Sequence, residues 1–388
     1  MSGTQLLLLI TTVFVAAYVL LMYRYISWFQ RLKVFRPKLA AHQTSFTVII
    51  PARNEEDAIS LCVYSIINSK YPKDLLEVIV VDDHSTDNTA AIVTGIAAQH
   101  ENVKLIKLQE LLQHRQQLNS YKKKAIETAI QFAKHDWIVT TDADCKVPSS
   151  WLSYYDAFIQ KKDVVFVAAP VLYERGETAV SVFQELDFLS LQGITAASVS
   201  GGFHSMCNGA NIAYKKSTFM EVGGFKGIDK IASGDDMLLM HKIREQYPGK
   251  VGYMFCRGAV VHTHAMKTWA AFLNQRIRWA SKSTHYKDKN VFAVLVVVYL
   301  LNLLLLLFPL LAFLAGMQAW HMLKFWLLFL VLKASIEFIF VFNVAGMFKR
   351  KSLLKWFFPL QPLHIIYTVS AGLLGKVKAY TWKGRKVN

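Results

Sequence analysis

Asp142 and Asp144 close the stretch WIVTTDAD, whose apolar start predicts a buried strand. Residues i and i+2 of an extended chain point to one side, so the two carboxylates share a face. Such a pair is a hard oxygen site for Mg²⁺ or Mn²⁺, and a cation held there also binds a diphosphate. A solvated turn would show the same spacing, but it would not need so apolar a strand before it. Asp82 and Asp83 end a second apolar run, LEVIVVDD, where a charge is costly without a partner. Capping of the turn at Ser85 accounts for one carboxylate. Two, followed by Asp87, point to acceptors for a base N–H or a ribose hydroxyl. Gly234, Asp235 and Asp236 open the apolar-periodic helix MLLMHKI. Asp suits a helix start, and a carboxylate here could equally take a proton from a hydroxyl as a general base.

Gln275, Arg278 and Trp279 stand at i, i+3 and i+4 and so share a helix face. Arg offers a planar fork of donors to a diphosphate, and Trp a flat apolar face to a sugar ring. An interfacial aromatic beside a basic flank would explain Arg278 and Trp279 but leaves Gln275 without a task. Lys122, Lys123 and Lys124 begin a helix and could meet phosphate, although a run of charge is usually a solvated face. His262 and His264 have a metal-like spacing but no evident further ligand, which favours a structural loop. Lys333 and Glu337 lie one helical turn apart inside an apolar span, where they suggest a bundle interior or a mutual ion pair.

These groups need a scaffold, and residues 45–282 supply one. Phe46 to Pro51 is a buried strand, followed by a helix from Asp57 to Asn68 with Ile59, Val63, Ile66 and Ile67 on one face. Leu76 to Asp83 is the next strand, with a helix-start signal at Ser85, Thr86 and Asp87. Val103 to Leu108, Trp137 to Asp142 and Val164 to Pro170 add further strands. The alternation predicts a mostly parallel sheet with helices on both faces, and ligands of such sheets bind at the carboxyl ends of the strands.

Hydrophobic residues make up 53% of the 388 and charged ones 18%, too apolar for an ordinary soluble enzyme. Leu6 to Tyr25 is nearly charge-free and of spanning length, about 20 residues. The positive charge follows this run rather than preceding it, which argues against a cleaved signal. Arg24, Arg31, Lys33, Arg36 and Lys38 put the N-terminus outside and the next domain in the cytoplasm. After Lys282, Lys287 and Lys289, Val291 to Gly316 and Met322 to Gly346 read as a transmembrane hairpin, and Lys349 to Lys351 return the chain inside. The expected organisation is a transmembrane helix at 1–28, a cytoplasmic catalytic domain with an interfacial helix at 45–282, and a hairpin at 291–346. An interfacial or membrane segment at 353–375 and a basic tail at 376–388 complete it. Much of the net charge of +17 sits beside these spans, where it orients the protein and meets anionic lipid, so membrane lipids and not nucleic acid are the expected partners. Cys62, Cys145, Cys207 and Cys256 show no CxxC spacing and suit a reduced compartment without disulfides or zinc.

Taken together, the motifs resemble a family 2 glycosyltransferase of the inverting, membrane-integrated kind. In order they are PARNEE at Pro51 to Glu56, VDDHSTD at Val81 to Asp87, TDAD at Thr141 to Asp144, GAN at Gly209 to Asn211, GDD at Gly234 to Asp236 and QRIRW at Gln275 to Trp279. The resemblance implies a GT-A fold, an α/β Rossmann-like mixed sheet, flanked by transmembrane helices in an integral membrane protein (of the cytoplasmic membrane, in a bacterium). It assigns Asp83 to the uridine of the donor, and Asp142 and Asp144 to the metal and diphosphate. Pro51, Arg53, Glu55, Lys122, Arg278 and Arg385 join the nucleotide-sugar site. Asp236 becomes the general base with Asp235 beside it, where the family more often has Glu. Gly209, Asn211, Gln275, Trp279 and Trp382 fall to the acceptor side, since Trp382-Lys383-Gly384-Arg385 resembles the W-x-x-R gating loop of hyaluronan and chitin synthases. The expected donor is a UDP-sugar and the reaction a metal-dependent hexosyl transfer. The acceptor is a growing polysaccharide, slightly ahead on motif grounds, or a membrane lipid. A bundle so thin would call on an oligomer or an accessory membrane subunit to conduct a polymer. A catalytically silent scaffold that only binds nucleotide-sugar is the contrasting reading, which a donor-hydrolysis assay separates.

The tail poses a topological problem, because a fourth complete span after Lys351 would carry Lys376, Lys378, Lys383, Arg385 and Lys386 outside. Trp356, Pro359 and Pro362 break the segment, Leu353 to Phe358 can lie along the interface, and Leu363 to Gly375 is too short to cross a core of about 30 Å. The tail is therefore expected in the cytoplasm, and Trp382→Ala should lower turnover without unfolding the protein. A cysteine introduced as Asn388→Cys should resist an impermeant thiol reagent in intact cells; labelling there would overturn this topology.

Overall fold

The computed structural model of the chain describes residues 1–388 apart from 38–40, 112–119, 204–205, 230, 232–233, 282–287, 378–379, 383–384 and 388, with side chains described up to Gly375. Lys38, Lys282, Lys287, Lys378, Lys383, Gly384 and Asn388 thus lie outside the described residues, as do the side chains of Lys376, Trp382, Arg385 and Lys386. The chain divides into two units, Lys33–Glu174 with Ser205–His264 and Thr381–Asn388, and Met1–Leu32 with Arg175–His204 and Ala265–Tyr380.

The first unit is built on a sheet. Its strands are β1 (Phe46–Ala52), β2 (Leu76–Asp82), β3 (Val103–Lys107), β4 (Trp137–Thr140), β5 (Phe166–Ala168), β6 (Val171–Tyr173), β7 (Ile212–Lys215), β8 (Val251–Tyr253) and β9 (Val261–Thr263). Seven of them form one sheet in the order β3-β2-β1-β4-β7-β5-β8, while β6 and β9 pair separately. Val- and Ile-rich runs such as VIIP and VIVV suit strands covered on both faces, and Ile49, Ile79, Val81 and Ile138 are fully buried. The cover consists of helices α2 (Ile59–Ile67), α3 (Thr89–Ala97), α4 (Leu108–Leu111), α5 (Tyr121–Phe132), α6 (Trp151–Lys161), α8 (Lys216–Glu221) and α9 (Met237–Gln246). On one side Ile126, Ile130, Leu239 and Ile243 join Ile138, Phe166 and Tyr214 in a single core.

Two features differ from the sequence expectation. The fourth strand stops at Thr140, so Asp142 and Asp144 lie in a turn closed by a hydrogen bond from Cys145 N–H to the Asp142 carbonyl (3.1 Å). The short run IAYK forms β7, which is antiparallel to both β4 and β5. Running against its neighbours, β7 starts where β4 ends, with Ile212 opposite Thr140. That reversal sets Gly209 to Asn211 beside Thr141 to Asp144.

The second unit is helical: α1 (Gly3–Arg31), α7 (Ala179–Ser200), α10 (Trp269–Ala280), α11 (Lys289–Leu314), α12 (Ala319–Met347) and α13 (Gln361–Val377). Among the described residues α1, α11 and α12 are long and apolar enough to cross a membrane. Segment 353–375 resolves into a 3₁₀ turn, Lys351–Trp356, and the 17-residue α13, about 25 Å long at 1.5 Å per residue and shorter than a bilayer core. Lys333 is buried and pairs with Glu337 at 2.9 Å. Gln361 of α13 bonds both at 3.0 Å, and Tyr18 of α1 donates its hydroxyl to Glu337. Interior position and mutual pairing therefore occur together, as intramembrane charge requires.

Asn211 shows how β7 is fixed. It is fully buried, and its Oδ1 accepts from Trp151 Nε1 and Tyr155 Oη, both at 2.8 Å. Its Nδ2 donates to the carbonyls of Pro170 (2.7 Å) and Ala259 (2.8 Å). An amide has two acceptor and two donor positions, and all four are taken. The structure therefore corrects the expectation that Asn211 meets an acceptor: it is a fastener inside the sheet unit. Asn211→Ala should cost about 2–4 kcal/mol, because it strands buried donors and carbonyls. A thermal unfolding midpoint within a degree of wild type would contradict this role.

Candidate active site

The loops after β1 and β2 leave the sheet side by side, because Ala52 lies opposite Asp82. In them Asn54 (φ +50°) and His84 (φ +56°) adopt the left-handed conformation, which Asn and His tolerate better than most residues and which is otherwise rare outside glycine. Cross-loop bonds hold them there. Asn54 N–H donates to Ser85 Oγ (3.0 Å), Thr86 N–H to Asn54 Oδ1 (2.8 Å) and Glu55 N–H to Thr89 Oγ1 (2.8 Å). Arg53 Nη1 donates to the carbonyls of Asp83 (2.7 Å) and His84 (3.0 Å), so Arg53 braces the rim as well as standing in it. Pro51 pairs with Val81 of β2 beyond the last β1–β4 pair, Ile49 with Thr140, where its missing N–H costs the β4 ladder nothing. Asp83 is buried, with Oδ1 3.0 Å from His84 Nδ1. Asp82 is buried too, and its Oδ1 has no hydrogen-bond partner among the described residues.

The first turn of α5 brings Lys122 to the carboxylates. Its Nζ lies 2.7 Å from Asp142 Oδ1 and 3.1 Å from Asp235 Oδ2. Burial works against the ammonium, but Asp142 and then Asp235 outweigh it and hold Lys122 above its ordinary pKa. The lysine run is not a solvated face. Lys123 is buried, with Nζ donating to the carbonyls of Ile228 (2.6 Å) and Ile231 (2.7 Å), and Lys124 pairs with Glu127 at 3.1 Å. Asp236 begins α9 and accepts from Met237 N–H (2.7 Å) and from Gly209 N–H (3.0 Å). Thr140 Oγ1 in turn donates to the Gly209 carbonyl at 2.7 Å. A Cβ at Gly209 would come within 3.1 Å of Asp235 Oδ2, so a side chain there would push on that carboxylate. Gly209 thus serves the carboxylates directly.

Although the turn replaces an extended strand, Asp142 and Asp144 stay partly exposed while Ala143 and Cys145 are buried. Burial, and then Asp144, push the Cys62 and Cys145 thiols up. Among the described residues no group of three His, Cys, Asp or Glu could hold a metal. Two accessible carboxylates instead fit Mg²⁺ or Mn²⁺ carried in by a diphosphate, since such ions take one or two carboxylates plus phosphate oxygens and water. His262 lies in β9 rather than in the loop expected, and pairs through its backbone with Lys146 (2.8 and 2.9 Å), while His264 just beyond the strand has Nδ1 3.4 Å from Glu174.

Gln275, Arg278 and Trp279 belong to α10 in the helical unit and are half-buried. The residue between them that sequence alone passed over is Arg276. Its Nη2 lies 2.7 Å from Asp187 of α7, both side chains only 4% exposed. Tyr367 of α13 donates its hydroxyl to Asp187. The guanidinium covers the Trp279 ring at 4.2 Å from its centroid and Phe272 at 4.8 Å, and Gln275 Oε1 accepts from Arg276 Nη1 at 3.3 Å. The signal lay in α7, where Glu185 and Asp187 stand two residues apart in FQELDFLSL and each, once buried, needs a cation. Trp382 and Arg385 fall in two short paired strands, Tyr380–Trp382 and Arg385–Val387, and their side chains are outside the description.

A mixed seven-stranded sheet covered by helices is the GT-A fold, shared with a solved mannosyltransferase. The chain belongs to glycosyl transferase family group 2, whose model matches residues 137–348, and the glycosyl transferase family 2 model matches 47–223. It is 26% identical over 60% of its length to the probable glycosyltransferase YdaM of Bacillus subtilis, covering 54% of that protein. It is 25% identical over 35% of its length to a beta-monoglucosyldiacylglycerol synthase of Nostoc, covering 28% of it, and 26% identical over 46% to a poly-beta-1,6-N-acetyl-D-glucosamine synthase of Staphylococcus aureus, covering 41%. The chain spans about half the length of the curated relatives it matches first. Among solved structures, a mannosyltransferase of Pyrobaculum calidifontis in complex with GDP-Man and Mn²⁺ superposes with a TM-score of 0.62 at 19% identity, covering 96% of this chain and 98% of that one.

Removing one partner of a desolvated pair leaves the other charge buried, at a cost of about 3–5 kcal/mol. Asp187→Leu should accordingly be strongly destabilising, and the double variant Asp187→Leu with Arg276→Met should recover most of the loss. Additive losses in thermal unfolding would show that the pair is not the unit described.

Proposed function

We propose that the chain transfers a hexosyl group from a nucleoside-diphosphate sugar to an acceptor hydroxyl, with inversion at the anomeric carbon. The observation that carries this reading is Lys122 Nζ joining Asp142 to Asp235, beside Asp236 on the Gly209 N–H, with Asp83 and Asp144 following the ends of β2 and β4. The unpartnered Oδ1 of Asp82 and the carboxylate of Asp83 suit the base N–H or ribose hydroxyls of a nucleoside, with uridine our choice. Asp142 and Asp144 would hold Mg²⁺ or Mn²⁺, whose chemistry there is to neutralise the diphosphate as it departs. The relative solved with GDP-Man and Mn²⁺ supports a divalent ion.

In this mechanism Asp236 is the general base. Backbone N–H groups of Gly209 and Met237 each occupy one of its oxygens, while a carboxylate has about four acceptor directions, so it can still take a proton. Asp236 accepts the acceptor's hydroxyl proton as that oxygen attacks the anomeric carbon. The bond from that carbon to the diphosphate oxygen breaks, and its electron pair leaves with the nucleoside diphosphate. Asp235 is neutralised by Lys122, which leaves the base role to its neighbour. We assign Gln275, Arg278 and Trp279 to the acceptor and diphosphate on the chemistry of their side chains alone.

We take the acceptor to be a growing polysaccharide, in line with the polysaccharide-synthase relative. A membrane lipid is the second reading, favoured by the glycolipid-synthase relative and by a bundle with three candidate spans among the described residues. The basic residues flanking the spans argue for a cytoplasmic catalytic unit. Membranes incubated with a panel of labelled UDP- and GDP-sugars should yield a labelled polymer or glycolipid. Asp236→Asn should lower product formation at least about a hundredfold, the scale of a lost general base, with donor affinity within about twofold. Near-normal turnover by this variant would remove Asp236 from its role, and no product from any donor would remove the reaction.

A further inference from the structure

Lys122 does more in this site than a phosphate-binding lysine requires. Its ammonium sits between the carboxylate meant for a metal and the one beside the base, 2.7 Å from Asp142 and 3.1 Å from Asp235. A Cβ at Gly209 would lie 3.5 Å from Nζ, so that backbone walls the ammonium in. The helix end carrying it is pinned next door, where Lys123 donates to the carbonyls of Ile228 and Ile231. Asp142 Oδ1 is thus already taken by a cation supplied by the chain itself.

We propose that Lys122 is the resident cation of the donor-free site, holding Asp142 and Asp235 so that a divalent ion binds well only together with the nucleotide. This inference rests on the metal and donor reading above. A dication approaching Asp142 alone must displace the ammonium or share a carboxylate with it, and like charges a few Å apart repel strongly at a partly buried site. A nucleoside diphosphate changes the balance, because its oxygens can replace Asp142 as charge-assisted acceptors of the ammonium, which stays on Asp235. Asp142 is then released to the divalent ion. Metal and nucleotide become positively coupled, and by linkage each strengthens the other by the same factor.

The test uses the full-length protein in detergent micelles, with free Mn²⁺ read by electron paramagnetic resonance. Mn²⁺ is titrated alone and in the presence of UDP or GDP, and nucleotide binding of Mn²⁺ without protein is subtracted. Wild type should bind Mn²⁺ at least tenfold tighter with a nucleotide present. Lys122→Met should bind Mn²⁺ alone at least tenfold tighter than wild type does, with less than threefold further gain from nucleotide. Lys122→Arg, which keeps the charge, should retain coupling. Mn²⁺ alone should also raise the unfolding midpoint of Lys122→Met and leave wild type unmoved. If Lys122→Met does not fold, Lys122→Gln carries the same expectation. A folded, uncharged variant whose Mn²⁺ affinity is unchanged or weaker, beside a wild type that still shows coupling, overturns the role of Lys122 and spares the metal reading. A wild type that binds no Mn²⁺ with either nucleotide overturns both.

Discussion

An ammonium shared by the carboxylates of Asp142 and Asp235 ties the start of α5 to the turn after β4 and to the residues that open α9. Acidic side chains must meet at this edge if the sheet is to handle a diphosphate and a proton, and at close range they repel one another. Lys122 offsets that repulsion, and the rest of the edge can then be built from backbone. Thr140 fixes the Gly209 carbonyl, Gly209 N–H fixes Asp236, and Asp236 caps its own helix. Each link is short and nearly covered, so the orientation of the Asp236 carboxylate follows from the end of β4. The antiparallel entry of β7 is what makes the chain of contacts possible, because it delivers Gly209 to the edge where β4 leaves off.

Much of this was legible in the residues. The strands β1 and β2 are uninterrupted apolar runs bounded by polar turns, and their ends were found to within a residue. The apolar helices α1, α11 and α12 were likewise visible, since membrane-spanning length leaves few alternatives. What escaped were relations between segments. IAYK is four residues long, and only its neighbours β4 and β5 decide that it pairs with them antiparallel. The resemblance of GAN to a glycosyltransferase element assigns Asn211 to the acceptor, yet Trp151 and Tyr155 exhaust its acceptor capacity. The lysine run left a phosphate site and a solvated face both open, whereas three consecutive helical residues point in different directions and meet different partners. Periodicity reports which face a residue occupies, not what waits opposite.

The helical unit repeats the same physics in a drier setting. Glu185 and Asp187 are buried on α7, and each meets an arginine, Arg350 at 2.9 Å and Arg276 at 2.7 Å. Lys333 and Glu337 are joined by Gln361 and Tyr18. A buried ion pair adds little net stability over apolar packing, but breaking it is expensive. Such pairs therefore penalise wrong arrangements more than they reward the right one. In a bundle whose helices are apolar almost all round, that penalty supplies what the hydrophobic pattern cannot, namely which helix faces meet. Arg276 adds a local consequence, since the guanidinium that satisfies Asp187 also covers one side of Trp279.

The donor half of the proposed reaction left a stronger trace in the chain than the acceptor half, and the reason is chemical. A nucleoside diphosphate concentrates charge, and a protein can answer it only with a few residue types at fixed places: paired carboxylates for a cation, a lysine or arginine for the oxygens. An acceptor hydroxyl asks for one base and an apolar surface of suitable shape, and both polymers and lipids present such hydroxyls. Relatives named for a glycolipid and for a polysaccharide match the same chain at similar identity. Selectivity between them then rests on how the apolar and aromatic surfaces admit a sugar chain or an acyl chain. Differences there amount to about 1–3 kcal/mol per methylene-sized change, spread over many residues. No single spacing in a sequence encodes a sum of that kind, whereas the proposed donor site depends on a few aspartates at fixed places.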